Sequence, residues 1–452
     1  MARRFRKADY AAVLQQTVRV EDCLSPHHLA RFIVSIVALL DLGAIYARYA
    51  PLGGEAIAPE VLLGLLFYGY ATGVFSARKI ERATYESIPF RFVAGGLHPD
   101  HDTIANFRKA FLSEIKTLFA QVLLVAKESG VLTLGDISLD GTKIHADASK
   151  SHAVSHKRLL ELESLLRQEV DTLFELAEQT EQANLPEGLS IADEIAFREQ
   201  RLANLGHAKT VLEAPAQERY ELEQAEYEAK LCERERKAQE KRRKPGGRSP
   251  QPPTPGLRDD DQYNFTDPES RIMKNSANRG VDQHYNVQAA VDQVSLLIVA
   301  HTLSNHPNDY GEAIPTLEAI PDVLGKPKAA ALDNGYFSAA NILQMKRRGT
   351  EPYIATGREP HHHSWQAYFA DEPAPPPAAA SPRVKMAYKL RTDIGKAIYA
   401  LRKATVEPVI GIIKEVLGFR QFSLHGQAAA AGEWGLVCLA FNLKRLHVLR
   451  SN

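Results

Sequence analysis

The chain has 452 residues, 44% hydrophobic and 24% charged, an ordinary soluble balance with enough length for two or three domains and a sizeable core. Its 55 Lys and Arg match its 55 Asp and Glu, so no global positive field advertises nucleic acid, and any such binding has to come from local patches. Three cysteines, Cys23, Cys232 and Cys438, are far apart and odd in number, which points to a reducing compartment and away from a disulfide frame or a cysteine-rich zinc site.

The opening residues Met1-Ala2-Arg3-Arg4-Phe5-Arg6-Lys7 are basic, but no apolar signal core follows them. The longest uncharged run, Val61 to Ala77, falls short of the ~20 apolar residues of a spanning helix. It also contains Gly64, Tyr68, Gly69, Tyr70 and Thr72. A buried helix is expected there, with no membrane partner and a cytoplasmic location.

Residues 1–130 read as helical. Ser25-Pro26 resembles an N-cap with proline at the first helical position, opening an apolar run through Leu40, and Pro59-Glu60 repeats the signal. A third helix is expected over Ser76 to Glu86, carrying Arg78, Lys79 and Arg82. A fourth is expected from Asp102 or Thr103 to Gly130, with Ile104, Phe107, Phe111, Ile115, Phe119 and Val122 at helical spacing. Short basic helices joined by turns suit a helix-turn-helix-like DNA reader; a plain helical bundle with a solvated basic face would look the same.

In Asp136-Ile137-Ser138-Leu139-Asp140-Gly141-Thr142-Lys143-Ile144-His145, Ile137 and Leu139 alternate with Ser138 and Asp140 as in a half-buried strand. An acid there, followed by a glycine, is well placed to hold a metal ion. From 155 to 244 the pattern changes. Leu159, Leu162, Leu166, Leu173 and Leu176 keep an a/d-like spacing among charges, with breaks expected at Pro186, Gly188 and Pro215. A helical hairpin or coiled-coil-like insertion is expected, serving as a solvated surface, a DNA contact or a self-association element. Pro245 to Gly256 is a proline-rich linker.

Strand character returns at Val281 to Ala300, where Tyr285, Val287, Ala289 and Val291 alternate and Asp292-Gln293 turns, a hairpin able to lie beside the Asp140 strand. A helix near Tyr310 to Ile320 precedes the short apolar strand Ala329 to Leu332, which ends in Asp333. Ser338 caps a helix to about Arg348, and Pro352 to Thr356 is another brief strand. Residues 359–384 read as loop, with His361-His362-His363 an exposed run rather than a metal site. Helix dominates from Met386 to Leu417 and again from Ala428 to Leu449. On the first of these, Tyr399, Lys403, Glu407 and Lys414 are spaced to share one face, as in a phosphate-handling site or an ion-pair ladder. Pro408 is expected to put Glu407 at a kink or a new helix cap.

The motifs Asp140-Gly141-Thr142-Lys143-Ile144 and Asp333-Asn334-Gly335-Tyr336-Phe337, with the run from Tyr399 through Arg402, Lys403, Glu407-Pro408 and Gly411 to Lys414, resemble a bacterial insertion-sequence transposase of the DDE class, which has an RNase H-like catalytic core. Thr266-Asp267-Pro268, Tyr285-Asn286-Val287-Gln288 and Asn442-Leu443-Lys444-Arg445-Leu446 extend the likeness. Pro99-Asp100-His101-Asp102-Thr103-Ile104, with Phe107-Arg108, resembles the domain that often precedes such cores. The family pattern leaves two residues between Tyr and Arg and three between Arg and Glu. Arg402 fits the first gap and Lys403 the second, so the basic partner of Glu407 is one or the other.

The resemblance implies an α/β fold. An RNase H-like mixed sheet flanked by helices (131–154 and 257–452) would follow an all-helical, DNA-end-binding domain (1–130) and be interrupted by the charged insertion and linker (155–256). It implies phosphoryl transfer on DNA, with Asp140, Asp333 and Glu407 holding two divalent ions, Mg²⁺ or Mn²⁺. DNA contacts would come from Tyr399, Arg402, Lys403 and Lys414, and from Arg78, Lys79, Arg82 and Arg108. The partners would be double-stranded DNA, as terminal inverted repeats and target, and a second copy of the chain in a homodimer. Two rivals stay open: a nuclease with the same core that joins nothing, and a non-catalytic coiled-coil scaffold or DNA-binding protein whose acids are structural.

Overall fold

The computed structural model describes residues 19–49, 56–179, 190–241, 249–274, 280–357 and 374–451. The triple histidine 361–363, Pro186 and Gly188 lie outside the described residues, as does the first part of the linker.

Among the described residues, seven α-helices come first: α1 (Leu29–Val37), α2 (Gly43–Tyr46), α3 (Pro59–Ala71), α4 (Ala77–Glu86), α5 (Ile88–Val93), α6 (His101–Ala110) and α7 (Leu112–Glu128). Pro59 stands at the first turn of α3, where its missing N–H costs no hydrogen bond. From Leu62 to Ala71 every residue of α3 is buried, which is why the run is apolar on all sides. No helix among the described residues is long and apolar enough to cross a membrane.

The single helix expected over 102–130 is two. Phe111 leaves helical geometry at φ −115°, ψ 22°, and its ring packs against Tyr49 and Phe107. Burying that ring outweighs continuing the helix. At the other end, α1 begins at Leu29, capped by the His28 side chain, so Pro26 precedes the helix by three residues.

The sheet is built from β1 (Ile137–His145), β4 (Arg271–Lys274), β5 (Val281–Asp292), β6 (Ile298–Ser304), β7 (Ala329–Leu332) and β8 (Glu351–Ile354), while β2 (Ala153–Ser155) and β3 (Gln262–Asn264) pair separately. β6, β5, β1, β7 and β8 lie side by side, with β4 continuing the β6 edge along the start of β5. β1 is antiparallel to β5 and parallel to β7, which is parallel to β8. This is the RNase H-like mixed sheet that the motifs imply, and the 281–300 hairpin does lie beside the Asp140 strand, with Asp140 opposite Ala289.

Between β2 and β3 run α8 (His156–Gln179) and α9 (Ile191–Lys241), which contribute no strand to the main sheet. Leu159 and Leu166 of α8 meet Leu205, Ala208 and Leu212 of α9 and Tyr263 of β3 in a separate apolar cluster. Arg198–Glu169 and Lys209–Glu163 ion pairs, both 2.7 Å, cross between the helices. The break expected at Pro215 does not occur, and α9 runs through it.

After β6 come α10 (Ala313–Glu318), α11 (Ala339–Arg347), α12 (Pro382–Lys389), α13 (Asp393–Gly411) and α14 (Gln427–Ser451). Ser338 caps α11 by accepting from the Asn341 amide. The helix does not restart at Pro408 but runs through it, with Thr405, Val406 and Val409 buried around the proline. The irregularity comes later, in a wide turn over Ile412–Val416 where Leu417 N–H reaches back to the Ile412 carbonyl at 2.9 Å.

α14 packs against β6 and also against α3 and α7. Asn442 clamps it to the sheet edge by bonding both the amide and the carbonyl of Ile298 at 2.8 Å, and Trp434 Nε1 donates to the Gln288 carbonyl. One apolar cluster therefore runs without interruption from Leu24 in the N-terminal helices to Leu446 in α14. A buried polar group crosses the same boundary. Glu433, fully buried, accepts from Tyr70 at 3.0 Å and from the Ser423 amide and hydroxyl, and Arg108 lies 3.5 Å away while donating to Tyr70 at 2.8 Å.

Removing one member of a buried charged pair leaves the other uncompensated. Arg108→Ala is therefore expected to lower unfolding stability by about 3–5 kcal/mol in chemical denaturation. Arg108→Met combined with Glu433→Met should recover much of that loss. A single-variant loss under ~1 kcal/mol would show that the pair does not hold the two regions together.

Candidate active site

Leu139 of β1 and Leu332 of β7 are register partners on parallel strands, so the next residue on each, Asp140 and Asp333, stand side by side at one end of the pair. Asp333 leaves the strand to cap the turn Asn334–Tyr336, its Oδ1 accepting the Gly335 amide at 2.7 Å. Ser138 and Asp140 face α13, as strand alternation requires. Ser138 Oγ receives hydrogen bonds from Thr405 at 2.8 Å and from Gln293 at 3.0 Å, and Gln293 also donates to the Ile398 carbonyl, so α13 is fixed along the strand.

That placement brings Arg402 over the acids. Its Nη1 donates to Asp140 Oδ2 and its Nη2 to Glu407 Oε1, both at 2.9 Å. The Arg402 side chain is 9% exposed, Asp140 18% and Glu407 46%, so the fork joins an interior carboxylate to one at the rim. Arg402 Nε is buried without a hydrogen-bond partner.

Burial pushes the Asp140 carboxyl up to about 6; Arg402 opposes this, and the neighbouring charges of Asp333 and Asp309 add to it. Burial likewise raises Asp333, against the pull of the Gly335 amide and Arg402. Burial works against the charge on Arg402, yet Asp140, Tyr399 and Glu407 hold its pKa above the ordinary value.

The structure brings Asp140, Asp333, Glu407 and Arg402 together, with the Tyr399 ring 5.8 Å from the Arg402 guanidinium. Arg402 touches both Asp140 and Glu407, and Lys403, the next residue, is exposed. Tyr399 is buried with Ala331 and Tyr353, so Tyr399, Lys403 and Glu407 do not form one exposed face. Lys414 is half-buried on β1, donating to Thr142 Oγ1 at 3.0 Å and to the Lys143 carbonyl at 3.3 Å, and burial lowers its pKa. Arg78, Lys79 and Arg82 are exposed on α4, Arg82 paired with Glu86, and none of the three bonds to the acid site. Arg108, expected at the DNA surface, is buried instead on Tyr70 and beside Glu433.

One acid was missed. Asp309, in the loop after β6, accepts from Asn286 Nδ2 at 2.8 Å and Gln288 Nε2 at 2.9 Å through the same oxygen, Oδ1. Asn286 and Gln288, two residues apart, point to one face of β5, and these buried amides were the available signal. Gly141 is bare because a Cβ there would strike Gln288 Nε2 and stand 2.7 Å from Asp309 Oδ1. A Cβ on Gly335 would stand 2.9 Å from Asp333 Oδ1 and 3.5 Å from Asp309 Oδ2.

Carboxylate oxygens without thiolates or imidazoles are the donor set of a hard divalent cation, and the positive guanidinium already lodged between two of them shows that the site takes a cation. Among the described residues no three His, Cys, Asp or Glu side chains close around a common point, and Arg402 stands between Asp140 and Glu407.

Residues 18–110, α1 to α6, match the family described as Transposase domain (DUF772). Residues 376–447, which hold Arg402, Glu407 and Lys414, match the family described as Transposase DDE domain. Asp140 and Asp333 lie outside both matches. No curated protein and no solved structure matches the chain.

Gly141→Ala tests the crowding around Asp140. Overpacking of this kind costs roughly 1–3 kcal/mol, so the variant should unfold at correspondingly lower denaturant. Stability equal to the parent chain would mean that Gln288 and Asp309 are free to move aside.

Proposed function

The two matched domains make this chain an insertion-sequence DNA transposase of the DDE class, and from that premise we propose that Asp140, Asp333 and Glu407 are its catalytic carboxylates. The observation that carries the assignment is the Arg402 fork, which draws Glu407 to Asp140 while the β1–β7 register sets Asp333 beside them. DDE transposases use divalent metal; here we assign two ions, Mg²⁺ or Mn²⁺. Bound at these carboxylates, they would activate a water or 3′-hydroxyl and stabilise the leaving oxygen.

The protein's own groups do the rest. Asp140 projects from within β1 and Asp333 from just beyond the end of β7, so their positions are set by the sheet. Glu407 stands at the exposed rim, where DNA would arrive. With Asp140 and Glu407 holding metal, the Arg402 fork would be free to match a backbone phosphate in both shape and charge. Lys403, exposed one residue on, and Lys414 would contact phosphates of the transposon end, with Arg78, Lys79 and Arg82 on α4 a second basic stretch. The reading assigns strand cleavage and strand transfer at the element's own ends, by a homodimer working in the cytoplasm. It divides the chain into an end-binding region over 1–130, a catalytic domain over 131–154 and 257–452, and the α8–α9 insertion between them.

The test is cleavage and joining of a labelled duplex that carries the element's native end. Asp140→Asn, Asp333→Asn and Glu407→Gln should each lower cleavage by roughly 10³-fold or more, since a metal site supplies several kcal/mol of transition-state stabilisation. Chelator should do the same, and end binding should persist in all three variants. Lys414→Ala should weaken binding and lower its salt slope by about one. Full cutting by the Asp140 variant would exclude this centre. Cleavage without any joined product would leave a nuclease.

Because the Asp140 carboxyl is pushed up to about 6, a cation must displace its proton below that pH. Mn²⁺ affinity of the DNA-free protein should thus fall by about tenfold per pH unit below 6 and level off above 7. Calorimetric titration across that range checks it; affinity independent of pH down to 5 would place the ion elsewhere.

A further inference from the structure

We propose that Asp309 is a fourth carboxylate of the reaction centre, a metal ligand supplied by the loop that follows β6. The inference rests on the assignment of Asp140, Asp333 and Glu407, and extends it to a residue outside both family matches.

Three observations carry it. The first is position: Asp309 borders the glycine that follows Asp140 and the glycine two residues beyond Asp333. Its Oδ1 lies 2.7 Å from a Cβ on the former, and its Oδ2 3.5 Å from a Cβ on the latter. Each of the two aspartates thus has a glycine one or two residues on, where the loop carboxylate comes in.

The second is the division of labour between its oxygens. Oδ1 is taken by the Asn286 and Gln288 amides, and Oδ2 is turned toward Gly335 and Asp333. Gln288 is fully buried, and its carbonyl oxygen in turn accepts the hydroxyl of Tyr336, from the motif that carries Asp333. Lys143, three residues past Asp140, donates to the Pro307 carbonyl at 2.6 Å, and Asn341 donates to the Tyr310 carbonyl at 2.9 Å, so the loop is held on both sides of Asp309. A carboxylate anchored through one oxygen and open at the other has the form of a ligand oriented by outer-shell partners.

The third is charge. The charges of Asp333 and Asp309 both bear on the half-buried Asp140, and the Arg402 fork beside it is committed to Asp140 and Glu407. Asp309 receives no hydrogen bond from it. A divalent cation at Oδ2 would supply the missing positive charge, and the open oxygen suits it because the ion is hard.

Asp309→Asn separates this role from a structural one. An asparagine can keep its carbonyl oxygen on Asn286 and Gln288 and changes only the open oxygen to an amide. Mn²⁺ binding to the full chain without DNA is measured by calorimetry, with thermal unfolding of the metal-free protein alongside and Asp140→Asn as control. The proposal expects at least a tenfold loss of Mn²⁺ affinity, with the metal-free midpoint unchanged or raised by the loss of a like charge. Wild-type affinity in Asp309→Asn, with loss in Asp140→Asn, would overturn the role of Asp309 and leave the three-acid centre standing. Undiminished binding in both variants, or no binding by the parent chain, would overturn both. Should the Asn variant fail to fold, Asp309→Cys is used. Thiolate ligation predicts end cleavage in Mn²⁺ and little in Mg²⁺, and equal loss in both metals would count against the proposal.

Discussion

Everything at the acid site depends on Arg402 lying between Asp140 and Glu407. Carboxylates held close in a partly dehydrated place repel one another, and without compensation they would splay or take up protons. A guanidinium answers that with two directed hydrogen bonds and a charge that persists at any ordinary pH. It is aimed by neutral contacts: Thr405 on Ser138, and Gln293 on both Ser138 and the Ile398 carbonyl, fix how far α13 slides along β1. A slide of one helical turn would carry Arg402 about 5 Å past Asp140.

That helix is in turn braced by a core shared with the N-terminal helices. α14 lies against β6 on one side and α3 and α7 on the other, and Glu433 gathers Tyr70 and the Ser423 amide and hydroxyl into one buried group beside Arg108. The segments matching the two transposase families therefore share a single interior. A rigid joint of this kind fixes the distance between whatever DNA the N-terminal helices hold and the phosphate presented to the acids.

The parts legible in the sequence were those set by local rules. Alternation in 137–140, the apolar run ending at Asp333, the cap at Ser338 and the proline opening α3 depend on neighbours in the chain, and the structure has each of them. The parts that stayed hidden were decided by distant contacts. Phe111 breaks a helix to bury its ring, Val406 and Val409 keep one going through Pro408, and Arg108 turns inward because Glu433 waits there. Spacing could not show that Arg402 reaches Asp140, since that depends on which side of α13 meets β1. Asp309 sits in an irregular loop with no periodicity to mark it; what pointed toward it were the buried amides of Asn286 and Gln288.

The placement of the α8–α9 hairpin bears on how the chain folds. β1 and β5 are neighbours along their whole length, with His145 opposite His284, yet the hairpin and its flanks separate them in sequence. Closing so long a loop before any contact rewards it would make the central pairing slow. The β2–β3 ladder, joining 153–155 to 262–264, shuts the intervening segment off at its base. With the α8–α9 cluster formed first, the two strands behave as though joined by a short connection, and the insertion becomes a local fold that hands β1 to its partner.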